Sequence, residues 1–154
     1  MTSIILVDAL KDLLDKSLEE YTYTDSEVNT RKVTVYKYYL KQRERGDEEY
    51  TPYVVIRPIE GNDTLEESTV KCAIVIAVRD TDSEQGYVNT VNLIEYIRQC
   101  LLKTLYIGGR FPIKRPLTWT IDNEPNAPIY MGSIIVECNV ANFENISEIP
   151  FLNE

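Results

Sequence analysis

Two stretches of the chain carry the hydrophobic periodicity of amphipathic helices. Between residues 3 and 20, leucines recur at three- and four-residue spacing and form one apolar stripe. Charged residues fill the opposite face, where Asp12 and Lys16 have the i,i+4 spacing of a helical ion pair. Ser3 is the expected N-cap. The same periodicity returns over residues 87–105, and Gly108 and Gly109 are expected to end this second helix.

Five further segments have the composition or the alternation of β-strands: residues 31–42, 52–59, 69–79, 117–121 and 129–140. The segment 69–79 is apolar at both parities, with bulky even positions and small odd positions such as Ala73 and Ala77. This pattern predicts a central strand covered on both faces, with a helix close to the small side. In the segment 129–140 the even positions, from Tyr130 to Val140, should point inward. The segment 31–42 is apolar at both parities, so its inward face stays unassigned.

The element order α-β-β-β-α-β-β predicts an α+β fold. We expect a mainly antiparallel or mixed sheet of about five strands with two helices packed on it. At 154 residues, the chain is expected to form one domain over residues 1–140, followed by an acidic C-terminal arm at residues 141–154.

Composition removes several classes of function. The formal net charge is −9, which argues against nucleic acid as the main ligand because a binding protein must neutralise phosphates. No apolar run is long enough to span a bilayer, so no membrane partner is expected. The chain has no histidine, and its three cysteines lack C-x-x-C spacing and are expected to be free core thiols. Histidine-dependent triads and zinc sites are therefore excluded, and we predict no catalytic residue, no metal ligand and no cofactor.

Asp80, Asp82 and Glu84 alternate in the manner of a calcium-binding loop. An EF-hand loop counted from Asp80 would need glycine at its sixth position and glutamate at its twelfth, where this chain has Gln85 and Val91. The three acids instead precede the second predicted helix. We expect them to complement the partial positive charge of its N-terminus.

Three motifs in the region 50–140 carry a resemblance to a known family. They are Pro52-Tyr-Val-Val-Ile-Arg-Pro-Ile-Glu-Gly61, Asp82-Ser-Glu-Gln-Gly-Tyr87 leading into Val91-Asn-Leu-Ile-Glu-Tyr-Ile-Arg98, and Pro125-Asn-Ala-Pro-Ile-Tyr-Met-Gly132 followed by a strand. Together they resemble minor tail proteins of long-tailed, siphovirus-type phages and prophages. The nearest group is the tail terminators, which cap the tail tube at its head-proximal end.

The resemblance implies a non-enzymatic virion protein, assembled in the cytoplasm of the bacterial host. It implies a homo-oligomeric ring, typically a hexamer, that contacts the tail tube protein and the head–tail connector protein and needs no cofactor. Two alternatives stay open: another head–tail joining or neck protein, and a small enzyme or ligand-binding domain that uses carboxylates and tyrosines.

A closed head-to-tail ring needs two different patches that complement each other. Charge complementarity suggests a basic, tyrosine-bearing patch facing an acidic one. The predicted interface residues are Tyr36, Tyr38, Lys41, Arg43 and Arg45 on the first patch and Asp80, Asp82 and Glu84 on the second.

Overall fold

Two helices pack on one face of a six-stranded sheet, and a separate two-stranded ribbon lies beside them. The computed structural model describes residues 2–40, 51–123 and 127–142. The elements are α1 (Thr2–Ser17), β1 (Thr22–Thr24), β2 (Thr30–Lys32), β3 (Thr34–Lys37), β4 (Tyr53–Asp63), β5 (Ser68–Arg79), α2 (Ser83–Lys103), β6 (Tyr106–Ile107), β7 (Phe111–Ile121) and β8 (Ile129–Val140).

The main sheet has the order β3-β4-β5-β8-β7-β6, and its centre is antiparallel. Only β3 and β4 run parallel, so the sheet is mixed. The α+β class is confirmed, although the strands are more numerous than the five expected. The predicted strand 31–42 is interrupted at Val33 and ends at Lys37, just before Tyr38, whose φ is +73°. The ribbon pairs β1 with β2 and leaves β3 to join the main sheet.

The main hydrophobic core lies between the sheet and both helices. The even residues of β5 face this core, and Ile74 and Ile76 are fully buried there, as the pattern predicts. The expectation that a helix covers the small odd face is wrong. That face carries a second, smaller cluster around Tyr53, Val55 and Ala77, to which neither helix contributes a buried residue. The bulky even side chains fill the space beneath the helices. The main core contains Leu6, Leu10 and Leu14 of α1 and Leu93, Ile94, Ile97 and Leu101 of α2.

Strand β8 alternates as predicted, with its even residues buried from Tyr130 to Cys138. Gly132 is one of these inward positions. A Cβ atom there would lie 2.6 Å from Cδ1 of Ile94 and 2.8 Å from the backbone oxygen of Thr120. The absence of a side chain at Gly132 therefore lets α2 and β7 approach β8 closely.

The helix ends differ from the sequence-based expectations. Helix α2 begins at Ser83, after Asp82, whose carboxylate accepts a hydrogen bond of 2.8 Å from the backbone N–H of Gln85. It ends at Lys103. Gly108 and Gly109 instead form the β6–β7 turn, with φ of +61° and +74°.

Two expectations for α1 are also corrected. The helix already includes Thr2, so Ser3 lies inside it and cannot be its N-cap. The i,i+4 ion pair joins Lys11 to Asp15 at 2.7 Å, and no pair between Asp12 and Lys16 is present. The charge pattern on this face allows either pair, and the sequence alone did not decide between them.

We expect Asp82→Ala to lower the free energy of unfolding by about 0.5–2 kcal/mol, because the N-cap carboxylate would be lost from α2. Asp82→Asn is the matched control, since an asparagine side chain can still accept the hydrogen bond from Gln85. Urea denaturation followed by circular dichroism measures both variants. Equal losses in the two variants would contradict the capping role.

Candidate assembly surfaces

The two tyrosines of the predicted basic patch lie on opposite sides of the sheet. Tyr36 packs against the small cluster around Tyr53 and Val55, whereas Tyr38 packs against the main core. Their alternate spacing would place both on one face of a regular strand. The left-handed backbone of Tyr38 ends the strand between them and reverses the side to which the second ring points.

Asp80 is only 4% exposed and is engaged within its own chain. Its carboxylate accepts hydrogen bonds from the backbone N–H of Ser26 at 3.1 Å and of Asp82 at 2.9 Å, and from the hydroxyl of Ser26. A neighbouring copy could reach this carboxylate only by breaking these bonds.

The remaining predicted interface residues fall into two groups. Asp82 and Glu84 are exposed, and both belong to the N-terminal end of α2, where Asp82 is the cap. The second group is the basic one. Lys41, Arg43 and Arg45 lie outside the described residues.

Asp80 fastens the β1–β2 turn to the segment before α2, and Asp25 holds that turn together from within the ribbon. Asp25 accepts backbone hydrogen bonds from Glu27 at 3.0 Å and Asn29 at 2.9 Å, and it forms an ion pair of 2.8 Å with Arg31. Burial alone would raise the pKa of Asp25, but these donors and the guanidinium charge outweigh it and hold the pKa below its ordinary value. Asp25 is engaged within the ribbon and Asp80 joins the ribbon to the segment before α2, so both carboxylates have structural roles.

We expect Asp25→Asn to destabilise the protein at neutral pH and to make its stability depend less on pH in the acid range. A carboxylate with a lowered pKa in the folded state stabilises it above its unfolded-state pKa, about 3.9 for aspartate. That contribution is lost as the pH falls through the folded value. Thermal melts between neutral pH and about pH 3 should therefore show the two proteins converging in acid. Asp63→Asn, at an exposed carboxylate, should leave the profile nearly unchanged. A constant offset between Asp25→Asn and the unmodified protein at every pH would contradict this account.

In the part of the chain that the structure describes, the main sheet has two open edges, which the apolar pattern of the sequence did not reveal. Strand β7 pairs with β8 along its inner side, whereas β6 covers only Phe111 and Pro112 on its outer side. At the opposite end of the sheet, β3 pairs only with β4 among the described residues. The feature of the sequence that could have indicated the open edge of β7 is the uncharged run at residues 117–121, which follows Pro116.

A cleft of about 470 Å³ lies between α1 and the β6–β7 turn. Its apolar lining includes Ile5, Leu13 and Phe111, and Asp8 and Asp12 lie on its α1 side. Gly108 lets the turn approach the helix, since a Cβ there would lie 2.8 Å from that of Ala9. Lys16 and Arg110 also line the cleft, and Asp8 is paired with Lys37 at 2.8 Å. The cleft therefore joins an apolar floor to charged groups of both signs, a combination suited to a small ligand.

The cysteines are free, as expected, and two of them belong to the main core. Burial raises the pKa of the Cys72 and Cys138 thiols to about 12 in each case. Because the thiolate is the reactive form, both side chains behave as small hydrophobic groups. Cys100 on α2 is half-buried.

Within residues 2–40, 51–123 and 127–142, no three carboxylates or thiols come together in an arrangement that could hold a metal ion. None of the helices described in these ranges is long and apolar enough to cross a membrane. In comparisons with known proteins, no family profile matches the chain and no curated protein sequence matches it significantly.

Proposed function

We propose that this chain is a non-enzymatic structural protein of the phage tail terminator type. It forms a ring of identical subunits, caps the tail tube at its head-proximal end and joins the tube to the head connector. It resides in the virion after assembly in the host cytoplasm. The proposal rests on the motifs of the region 50–140 and on the surfaces that the fold leaves open.

The observation that carries the proposal is the pair of unlike edges that the described residues leave open on opposite sides of the main sheet. A head-to-tail ring requires each subunit to present two different surfaces that fit each other. The edges of β3 and β7 meet this requirement, because they differ in length and sequence and lie on opposite sides of the subunit. A protein that acts as a monomer usually protects such edges with charges, prolines or covering loops.

The first test is the mass of the purified protein in solution. Light scattering coupled to size exclusion should give several-fold the 17.8 kDa of one chain, and negative-stain electron microscopy should show closed rings. A second arm adds the protein to polymerising tail tube protein from the same phage. Tubes should stop growing and should carry density at one end. A protein that stays monomeric at high concentration and leaves tube growth unchanged would refute the proposal.

The same assay separates the terminator from another head–tail joining or neck protein. A neck protein would bind the connector protein and leave the length distribution of the tubes unaltered. A terminator changes that distribution at substoichiometric ratios, because one ring blocks one tube end.

The cleft beside α1 favours one further candidate, a ligand-binding domain. Asp12→Asn and Leu13→Ala change its carboxylate side and its apolar side separately. If the cleft is the functional site, these variants should lose activity in a phage complementation assay while ring formation persists. Under the terminator proposal, the oligomer and the block of tube growth should both survive Asp12→Asn.

A further inference from the structure

We propose that the outer edge of β7, at residues 117–121, accepts strand β3 of a second copy as an added antiparallel strand, so that the main sheets of neighbouring copies join edge to edge. This inference rests on the proposed ring and names the surface that closes it. We call the outer side of β7 at residues 117–121 the β7 edge.

Among residues 2–40, 51–123 and 127–142, no strand pairs with the outer side of the β7 edge, so its backbone is available for strand addition. Thr118 stands opposite Ile135 and Thr120 opposite Ser133, and the N–H of Asp122 donates to Met131 at 2.9 Å. Because hydrogen-bonded residues alternate along an antiparallel pair, the amide groups of the even residues point toward β8. The N–H and C=O groups of Trp119 and Ile121 therefore point outward, away from the sheet.

The β7 edge also lacks the usual protection against pairing. Residues 117–121 contain only leucine, threonine, tryptophan and isoleucine, all without charge, and neither proline nor lysine interrupts them. Pro112 and Pro116 lie before this run. Trp119 is 40% exposed, which leaves a large aromatic surface beside the free backbone groups.

Strand β3 presents a matching edge. The N–H of Thr34 donates to Pro52 at 3.5 Å and that of Tyr38 donates to Ile56 at 2.7 Å, so the amides of even residues face β4. The amide groups of Val35 and the N–H of Lys37 consequently point outward. A lysine often guards a free edge, but the ammonium group of Lys37 is held by Asp8 of α1 at 2.8 Å.

Strand direction allows the joint to be antiparallel. β3 runs parallel to β4, and the three antiparallel pairings that follow across the sheet make β7 run opposite to β3. A neighbouring copy that is related by rotation about an axis parallel to the strands keeps the same strand directions. The β3 strand of the next copy then lies antiparallel to β7.

The side-chain faces agree with the same joint. Trp119 pairs with Ile134 of β8 and therefore points to the helix side, and Val35 also belongs to the main core on that side. Both residues also point their amides outward. Placing Trp119 opposite Val35 lets the two backbones exchange both hydrogen bonds and keeps the helices of both copies on the same side of the continuous sheet. If the residues with outward-pointing amides on one of the two edges had side chains on the other face, the helices of the two copies would lie on opposite faces of the continuous sheet.

This register leaves opposite charges at the same end of the joint. Counting outward from Trp119 and Val35 places Thr120 opposite Thr34; Asp122 follows β7 at this end, and Lys32 of β2 precedes β3 there. Asp122 and Lys32 are both exposed, and neither has an ion pair within the described part of the chain. Two charges of opposite sign at the same end of the joint favour it through charge complementarity.

The experiment is an oxidative cross-link between the two strands. Thr120→Cys combined with Thr34→Cys, in a Cys100→Ser background, places two thiols opposite each other at a non-hydrogen-bonded position, where Cα atoms lie about 4.5 Å apart. Oxidation should give a ladder of covalent multimers on a denaturing gel. The matched control replaces Thr120→Cys by Thr118→Cys, which is shifted by two residues and should cross-link at least about tenfold less, since diagonal neighbours lie about 7–8 Å apart. Each single variant can form dimers at most.

A second arm tests the backbone bonds directly. Trp119→Pro removes one outward N–H and leaves the ladder to β8 intact, because proline is tolerated on an exposed edge. The dissociation constant of the oligomer should rise by about tenfold or more. Trp119→Thr is the control: it keeps the N–H, loses the ring and isolates the contribution of the side chain. Circular dichroism and the melting temperature verify that each variant is folded.

The outcomes separate this inference from the proposed function. If rings form but the cysteine pair does not cross-link, the β7 edge is not the seam and the ring proposal survives. The same holds if Trp119→Pro leaves the oligomer unchanged. If the cysteine pair cross-links into open-ended ladders and no ring is seen, strand addition is supported and the terminator proposal fails. Should Trp119→Pro fail to fold, the cross-link alone decides. If the β7 edge pairs with a different protein and the two cysteines do not cross-link copies of this chain, the strand-addition inference is also overturned.

Discussion

Ile76→Ala should lower the free energy of unfolding by about 2–5 kcal/mol. Ile76 is fully buried in the central strand β5, between the other sheet residues and the helices. Removing three carbon atoms loses their transfer free energy and leaves a cavity that neighbouring strands on both sides cannot close. Chemical denaturation with two probes, near-UV circular dichroism and tryptophan fluorescence, measures the change.

Val75→Ala on the same strand is the matched control. Val75 points to the opposite face, where it is half-buried beside the smaller cluster. Its truncation removes fewer contacts, so the loss should be clearly smaller than for Ile76→Ala. Similar losses at the two positions would mean that the helix-covered face does not dominate the stability of this fold.

Gly132→Ala should destabilise the protein by about 1–3 kcal/mol, although alanine is normally the better residue in a strand. The added Cβ would lie 2.6 Å from Cδ1 of Ile94 and 2.8 Å from the backbone oxygen of Thr120. The side chain of Ile94 can move, but the backbone of β7 can yield only by loosening its pairing with β8. The measurement is the midpoint and slope of urea unfolding.

A double mutant separates the contributions of the two close contacts, with Ile94 and with Thr120, to the loss of stability. Ile94→Val removes the Cδ1 atom, so Gly132→Ala should cost less in the Ile94→Val protein than in the unmodified one. The relief should be partial, because the contact with Thr120 remains. Strict additivity of the two substitutions would show that Ile94 is not the limiting neighbour. Ser133→Ala, next in the strand and on the other face, should have little effect.

The class of fold followed from periodicity because helices and half-buried strands repeat their apolar positions at different intervals. Residues 69–79 and 129–140 were predicted with the correct burial parity, and both helices were found within a few residues of their ends. The helix ends were misplaced because capping depends on single hydrogen bonds. One such bond is donated by the backbone N–H of Gln85 to the carboxylate of Asp82. The pattern of apolar residues carries no information about it.

The interface residues were less predictable. Charge and tyrosine content grouped Tyr36 with Tyr38 and Asp80 with Glu84, but the fold gives the two members of each pair different surroundings. One left-handed residue turns Tyr38 to the other side of the sheet, and the ribbon buries Asp80 from 54 residues away in sequence. Both events depend on partners remote in the chain, so local pattern could not reveal them.

The amino-acid sequence by itself determined the α+β class, the central position of β5 and the absence of histidine chemistry, because these depend on composition and on the repeat of apolar residues. Only the tertiary structure decided that both helices cover one face. It also decided that, among the described residues, β3 lies at one end of the sheet and β7 at the other is covered only by the short β6. Strand order and the covering of a face are set by contacts between distant segments, and an edge is recognised only once every other strand has its partner.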